Sequence, residues 1–218
     1  MAIVKKHDFA EIEYTGRIKE DNSVFDTTQE NIAKEHGLQG KEHDYGPFVI
    51  CVGENAMLKS LEEQMIGMET GKDYSFEVSA EQAFGRKDAK LLQLIPLSKF
   101  REQKIQPVPG LQLNIDGVFG VVKTVSGGRC YVDFNHPLAG KNLAYEVNLI
   151  RIVDDDAEKV SSLLNFQLGI KDAKIELKDG SAAISSKNEI PKEAQEVFKK
   201  IAERAILGIK SLEFIKAK

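Results

Sequence analysis

The side chains that most often ligate metals or act as nucleophiles are few in this sequence and lie far apart. Cys51 and Cys130 are 79 residues apart, and neither belongs to a CxxC pair. Zinc sites in proteins use closely spaced pairs of cysteine or histidine ligands. We therefore interpret both cysteines as reduced, half-buried strand residues, with a disulfide as the less favoured alternative.

The four histidines are also scattered: His7, His36, His43 and His136. Solvated or capping roles explain them best, although His36 and His43 share a loop, where a weak metal contact stays open. The run Asp154 to Asp156 indicates a solvated linker or a helix start. Gly127-Gly128 indicates a turn, since neither a helix nor a lysine follows it as in a phosphate loop. The sequence thus predicts neither a metal nor a cofactor.

Charge is unevenly distributed along the 218 residues, whose net charge is −4. Residues 86 to 134 carry +4, residues 154 to 218 are neutral, and the remainder carries −8. A basic block therefore interrupts an acidic one, which indicates an inserted segment. With 42% hydrophobic residues the chain can form a core, so disorder is excluded as its main state.

The sequence indicates neither a secretory signal nor a membrane-spanning segment. The N-terminal residues Met1 to Asp8 reach charged side chains where a secretory signal needs an apolar stretch. Nowhere does the sequence approach the roughly 18 apolar residues of a membrane span. We expect a soluble cytoplasmic protein without membrane contact.

The hydrophobic periodicity of the sequence predicts the strands and helices that must position any functional residues. In the first 85 residues, alternation or apolar runs predict strands at 9–18, 24–28, 48–52 and 74–78. A short helix and a polar loop are expected within 29–47. The spacing of Met57, Leu58, Leu61, Met65 and Ile66 predicts an amphipathic helix that ends at Gly67.

After Arg86 the sequence pattern changes to short predicted strands separated by turns. Hairpin signals separate predicted strands at 111–115, 118–124 and 129–134, which indicates a small β domain, and a further strand is expected at 143–153. In the tail, a helix ending at Gly169, a hairpin within 173–185, a helix after Pro191 and a last strand from Leu212 are expected. Such a unit of about 60 residues would be marginal alone.

An ordered series of motifs resembles the FKBP-type peptidyl-prolyl cis-trans isomerases. The motifs are Tyr14-Thr15-Gly16, Val24 to Thr28, Val52-Gly53-Glu54 followed by Met57 to Glu63, Gly67 to Gly71, and Ala83-Phe84-Gly85. Residues 135 to 143 resemble the return from the insert of the SlyD-like, insert-in-flap branch, and the tail is similar to that of longer archaeal-type members.

The resemblance implies an α+β fold in which an antiparallel β-sheet wraps on a short helix. An isomerase domain would comprise 1–85 and 135–153, a small β-rich flap domain 86–134, and a C-terminal α+β domain 154–218. The pocket carried over from the family comprises Tyr14, Phe25, Asp26, Met57, Leu58, Leu61, Phe84, Leu138 and Tyr145. Three positions depart from the pattern: Leu61 stands where many members have tryptophan, Phe84 where tyrosine is usual, and Tyr145 where phenylalanine is usual.

The implied activity is a rotamase activity on Xaa-Pro bonds of unfolded, nascent or partly folded polypeptides, with the insert as a chaperone domain. The apolar residues of the insert, such as Leu91, Leu94 and Phe119, would either hold extended chains or form its own core. The alternative function is a holdase-type binding module with weak isomerase activity. Nucleic acid is a less favoured partner, because +4 of charge without interleaved exposed aromatics gives little support. The apolar helix stripe of the tail favours docking or a homodimer.

Overall fold

The computed structural model describes residues 1–38, 45–115, 117–187 and 190–216, so the prediction for His43 and part of the hairpin signal between 111–115 and 118–124 lie outside the described residues. The chain forms two compact units. The first comprises Met1–Val78 and Leu143–Lys218, and the second, which we call the insert unit, comprises Ser79–Asn142.

Twelve strands and five α-helices are present among the described residues. The strands are β1 (Phe9–Ile18), β2 (Val24–Thr27), β3 (Phe48–Cys51), β4 (Lys72–Val78), β5 (Leu92–Pro96), β6 (Gln112–Ile115), β7 (Val118–Ser126), β8 (Arg129–Asp133), β9 (Leu143–Ile152), β10 (Lys174–Lys178), β11 (Ser181–Ser186) and β12 (Ser211–Lys216). The helices are α1 (Glu30–Glu35), α2 (Lys59–Met65), α3 (Leu97–Glu102), α4 (Asp156–Leu168) and α5 (Lys192–Ala205).

The main sheet of the first unit is antiparallel and has the order β2-β1-β9-β4, with β3 also paired to β1. Its strands alternate, so Ile12, Val147 and Leu149 are fully buried. Helix α2 contacts β4 and buries Leu61 and Met65. A mixed α+β fold with antiparallel sheets therefore agrees with the predicted fold class.

The tail shares a hydrophobic core with one end of the main sheet. Phe9 and Cys51 belong to the same cluster of buried residues as Val160, Leu164 and Phe198 of the tail helices. Helix α4 contacts β3, α5 and β10. Because burial of apolar surface is the main stabilising term in folding, this common core compensates for the small size of the tail.

Local sequence signals explain the ends of the tail helices. The Asp155 carboxylate accepts a hydrogen bond from the Glu158 amide at the start of α4, and Gly169 ends this helix at a φ of 65°. The end at Gly169 was predicted, and the start at Asp155 was one of the two alternatives for the run Asp154 to Asp156. The three tail strands have the order β10-β11-β12, with β12 parallel to β11 because α5 makes the crossover between them.

The insert unit is a four-stranded antiparallel sheet of order β5-β8-β7-β6, covered by the short helix α3. Its core contains Phe100, Leu113, Val122, Cys130 and Val132. Strand β5 and helix α3 were not predicted. Both cysteines are free and fully buried rather than half-buried, Cys51 in β3 and Cys130 in β8. Among the described residues, no helix combines the length and the apolar composition needed to cross a bilayer.

Candidate active site

Three neighbouring strands of the main sheet bring four of the predicted site residues together. Gly16 on β1 lies opposite Asp26 on β2 and opposite Tyr145 on β9. Tyr14 lies two residues before Gly16, on the same strand face. A Cβ atom on Gly16 would lie 2.6 Å from Cζ of Phe25, so the absence of a side chain here makes room for the Phe25 ring.

The aromatic rings of this group pack on one another. Tyr145 lies 5.7 Å from Phe25, nearly perpendicular at 86°, and 6.0 Å from Tyr14. Phe48 at the start of β3 packs edge-on against Tyr14 at 5.8 Å. Phe48 is absent from the residues predicted for the site. Its pairing with the buried Ile12 places it on the same face as Tyr14, but its apolar neighbours in sequence indicated only a buried strand.

The only carboxylate of the predicted site is engaged by a phenol. The Tyr14 hydroxyl donates a hydrogen bond to Oδ2 of Asp26 at 2.5 Å. Burial and this carboxylate raise the pKa of Tyr14 far above its ordinary value of 10.0, so Tyr14 stays protonated. This hydrogen bond is a contact through which Asp26 orients Tyr14.

Met57, Leu58 and Leu61 lie at the N-terminal end of α2, where Leu61 is buried and the other two are half-buried. A residue that was not predicted holds this end in place. The Glu62 carboxylate, only 2% exposed, accepts hydrogen bonds from the amides of Gly53 (2.6 Å), Asn55 (3.3 Å) and Met57 (2.6 Å). Glu62 is therefore a positioning residue for the loop that carries Met57 and Leu58.

Phe84 and Leu138 lie in the insert unit, where His136 contacts both. The His136 ring stacks on Phe84 with centroids 4.1 Å apart and planes within 5°. Its Nδ1 atom accepts a hydrogen bond from the Leu138 amide at 3.2 Å. His136 thus holds two predicted pocket residues in one local arrangement, a role that its isolated position in the sequence did not indicate.

Family models match most of the regions just described. One model, described as FKBP-type peptidyl-prolyl cis-trans isomerase, matches residues 2–107, and another, described as FKBP26, IF domain, matches residues 93–138. The short-type peptidyl-prolyl cis-trans isomerase of Methanocaldococcus jannaschii is 30% identical over 156 residues, which are 72% of this chain and 98% of that protein. The chain belongs to the FKBP-type peptidyl-prolyl cis-trans isomerases.

Further relatives of this isomerase carry the names expected from the sequence motifs. The FKBP-type isomerase SlyD of Helicobacter pylori is 27% identical over 152 residues, covering 68% of this chain and 75% of that protein. A probable FKBP-type 16 kDa isomerase of Pseudomonas fluorescens is 31% identical over 114 residues, covering 50% and 75%. The resemblance to the SlyD-like FKBP isomerases is therefore confirmed, and the fold is FKBP-like.

The described residues of this isomerase were also expected to lack a metal site. Within the described ranges, no cluster of three or more histidine, cysteine or acidic side chains has ligand geometry. His136 uses Nδ1 as an acceptor, and His7 Nδ1 lies 3.1 Å from the Glu54 carboxylate. Burial raises the pKa of Cys51 to about 12, so this thiol is a poor nucleophile.

Proposed function

We propose that this isomerase acts on Xaa-Pro bonds of unfolded or partly folded polypeptides through a pocket in its first unit. The pocket residues are Tyr14, Phe25, Asp26, Met57, Leu58, Leu61 and Tyr145. Phe84 and Leu138, which lie in the insert unit, stay predictions from the family resemblance. The observation that supports this assignment best is the packed group of Tyr14, Phe25 and Tyr145 beside the Tyr14–Asp26 hydrogen bond.

The reaction needs neither a nucleophile nor a proton shuttle. Rotation about the Xaa-Pro amide loses resonance, with a barrier of about 18 to 20 kcal/mol, and no covalent bond is made or broken. The twisted amide is less polar than the planar one, so apolar walls bind it better than they bind either planar isomer. Each tenfold gain in rate requires about 1.4 kcal/mol of this preference. Aromatic side chains that exclude water suit this task.

A protease-free isomerisation assay tests the proposal on a proline-containing tetrapeptide and on a protein whose refolding is limited by proline. We expect acceleration of both, and loss of most of it in Phe25→Ala, which removes a ring that packs on Tyr145. Tyr74→Phe is the matched control, because the Tyr74 hydroxyl bonds only to the Glu69 backbone among the described residues. No gain over buffer on either substrate would overturn the proposal.

We further propose that the segment 86–134 captures client chains and so tethers them to the isomerase. Leu94 and Tyr131 lie opposite each other in the β5–β8 pairing, and Phe119 shares their sheet face. All three are more than two fifths exposed. Exposed apolar patches on a small domain are typical of interaction surfaces, and tethering raises the local concentration of substrate. Exposure of Leu94 and Phe119 was one of the two alternatives that the sequence left open, whereas the exposure of Tyr131 was not indicated.

Deletion of 86–134 distinguishes this combined function from a holdase with weak isomerase activity. If suppression of aggregation is lost while tetrapeptide isomerisation survives, the two activities lie in different places. If the intact chain never isomerises tetrapeptides but suppresses aggregation, the holdase function is correct. Leu94→Ser with Tyr131→Ser is a milder variant, which should weaken aggregation suppression and leave the tetrapeptide rate unchanged.

We also propose a homodimer that forms through the segment 154–218. Val197 is 56% exposed on α5 and Leu207 is 94% exposed just after it, which leaves apolar surface uncovered. Sedimentation equilibrium should give twice the chain mass of 24.2 kDa. Val197→Ser with Leu207→Ser should return the mass to that of a monomer. An unchanged monomer mass for the native chain contradicts the dimer.

A cytoplasmic location is the remaining part of the proposal. Two free, buried cysteines are compatible with a reducing compartment, where structural disulfides are rare. Fractionation of cells that express the full chain, with detection in the cytosolic fraction, would support it.

A further inference from the structure

Tyr145 carries a hydroxyl that the packing of the site does not require. It lies near the start of β9, opposite Gly16 of β1 and Phe76 of β4, and it is only 5% exposed. Its ring contacts are made by Tyr14 and Phe25. A phenylalanine ring, which the family pattern implies at this position, would make the same ring contacts.

The hydroxyl has no hydrogen-bond partner among the described residues. In the described part of the chain, the fully enclosed side-chain atoms without a hydrogen bond are His7 Nδ1 and Glu54 Oε1, which face each other at 3.1 Å, and the Tyr145 oxygen is not one of them. Solvent therefore reaches the tip of a side chain that is otherwise buried. The neighbouring phenol of Tyr14 differs, because its proton is already committed to Asp26.

Solvent can bond to this hydroxyl in the free protein, but a substrate that fills the site excludes that solvent. A buried polar group without a partner costs about 1 to 3 kcal/mol relative to one that is hydrogen-bonded, so the bound substrate has to supply an acceptor. Buried tyrosine hydroxyls usually have a partner for this reason. Burial and the nearby Asp26 charge raise the pKa of Tyr145 well above 10.0, so the group remains a donor.

The substrate has the matching chemistry. Proline has no amide proton, so an Xaa-Pro segment presents mainly carbonyl oxygens to its surroundings. A pocket for such a segment needs donors, and the Tyr145 hydroxyl is an unengaged donor beside Phe25 and Tyr14. We propose that the Tyr145 hydroxyl binds substrate by donating a hydrogen bond to a polypeptide carbonyl oxygen that flanks the rotating Xaa-Pro amide.

The choice of a flanking carbonyl follows from the electronic change during rotation. Twisting the amide removes resonance and therefore reduces the negative charge on its own carbonyl oxygen. A donor on that oxygen would stabilise the planar ground state and slow the reaction. A carbonyl outside the rotating amide keeps its charge, so its hydrogen bond is equally strong in the ground state and in the transition state. Such a contact lowers KM and leaves kcat unchanged.

The test is Tyr145→Phe in the full-length chain, assayed with a tetrapeptide of the form Ala-Ala-Pro-Phe. We expect KM to rise about 2- to 10-fold, the value of one neutral hydrogen bond, with kcat within about 1.5-fold of the native value. Tyr74→Phe, which also removes a phenol from the main sheet, should change neither constant. Near-UV circular dichroism verifies that both variants are folded.

Substrates in which single carbonyls are replaced by thioamides, which are weaker acceptors, locate the contact. One flanking thioamide should raise KM for the native chain and have no such effect on Tyr145→Phe. This inference depends on the proposed function, but the two fail differently. Absence of any isomerisation by the native chain refutes the proposed function. Normal native activity with an unchanged KM in Tyr145→Phe, or a fall in kcat alone, refutes the role of the hydroxyl.

Discussion

The buried carboxylate of Glu62 gives the sharpest test of how the site is positioned. In Glu62→Gln the side chain keeps its shape but has only one acceptor oxygen. Its NH2 group therefore faces a backbone amide that donates to the carboxylate in the native chain. The Gly53 and Met57 amides bond to different oxygens of Glu62, each at 2.6 Å. Losing one charge-assisted bond and weakening the other costs about 2 kcal/mol of unfolding free energy.

Glu63→Gln is the matched control, because this side chain is 62% exposed and lies 3.8 Å from Lys59, where an ion pair contributes little. Urea unfolding of both variants, followed by near-UV circular dichroism of the tyrosines because the chain lacks tryptophan, measures the difference. The Met57 and Leu58 loop should also shift, so kcat/KM should fall in Glu62→Gln only. Equal unfolding free energies for the two variants, within about 0.5 kcal/mol, would refute the reasoning.

Three further predictions concern other contacts. Gly16→Ala should destabilise the chain by about 1 to 3 kcal/mol in urea and lower kcat/KM, because its methyl group would clash with the Phe25 ring at 2.6 Å. Arg204→Met should cost about 1 to 2 kcal/mol in the same assay, since buried Glu54 loses its guanidinium partner.

The third prediction concerns the pH dependence of stability. Burial tends to raise the pKa of Asp133, but hydrogen bonds from Asn135 and Lys87 outweigh it, so the pKa is lowered. Its contribution to the insert unit is present above about pH 4 and is lost as the pH falls through the lowered value, so Asp133→Asn should unfold with weaker acid dependence. An acid unfolding midpoint identical to that of the native chain would contradict this assignment.

Strands and helices were predicted correctly where the hydrophobic periodicity of the sequence is strong. The strands around Phe9, Val24 and Leu143 and the helix that ends at Gly169 are present as predicted. Helix α3 was not predicted because its six residues include charged and polar side chains and too few turns to establish a period. The parallel pairing of β12 was not predicted because it depends on where α5 returns the chain, which local pattern does not encode.

The site was predicted in part, for a similar reason. Tyr14, Phe25, Asp26 and Tyr145 could be named because motifs in fixed order identify them. Glu62 carried no such signal, since a glutamate on a short helix usually faces water. The sequence does contain a signal for the contact between the tail and the main sheet, which is the apolar run of β3. Val49 and Cys51 make the run in β3 apolar on both faces, which indicates that a second layer covers the strand.

The pairing of β1 with β9 also affects the order in which parts of the chain fold during synthesis. Ala10 pairs with Ile152 and Ile18 with Leu143, so β1 cannot pair with β9 until the whole insert unit has been synthesised. At about 5 to 20 residues per second this delay is on the order of 10 seconds. The insert unit is contiguous and has its own core, so it can finish folding during that interval. A nascent chain arrested with residue 142 outside the ribosome should therefore resist protease within 79–142 while 9–18 is still cut. The main sheet is then completed only after the insert unit has folded.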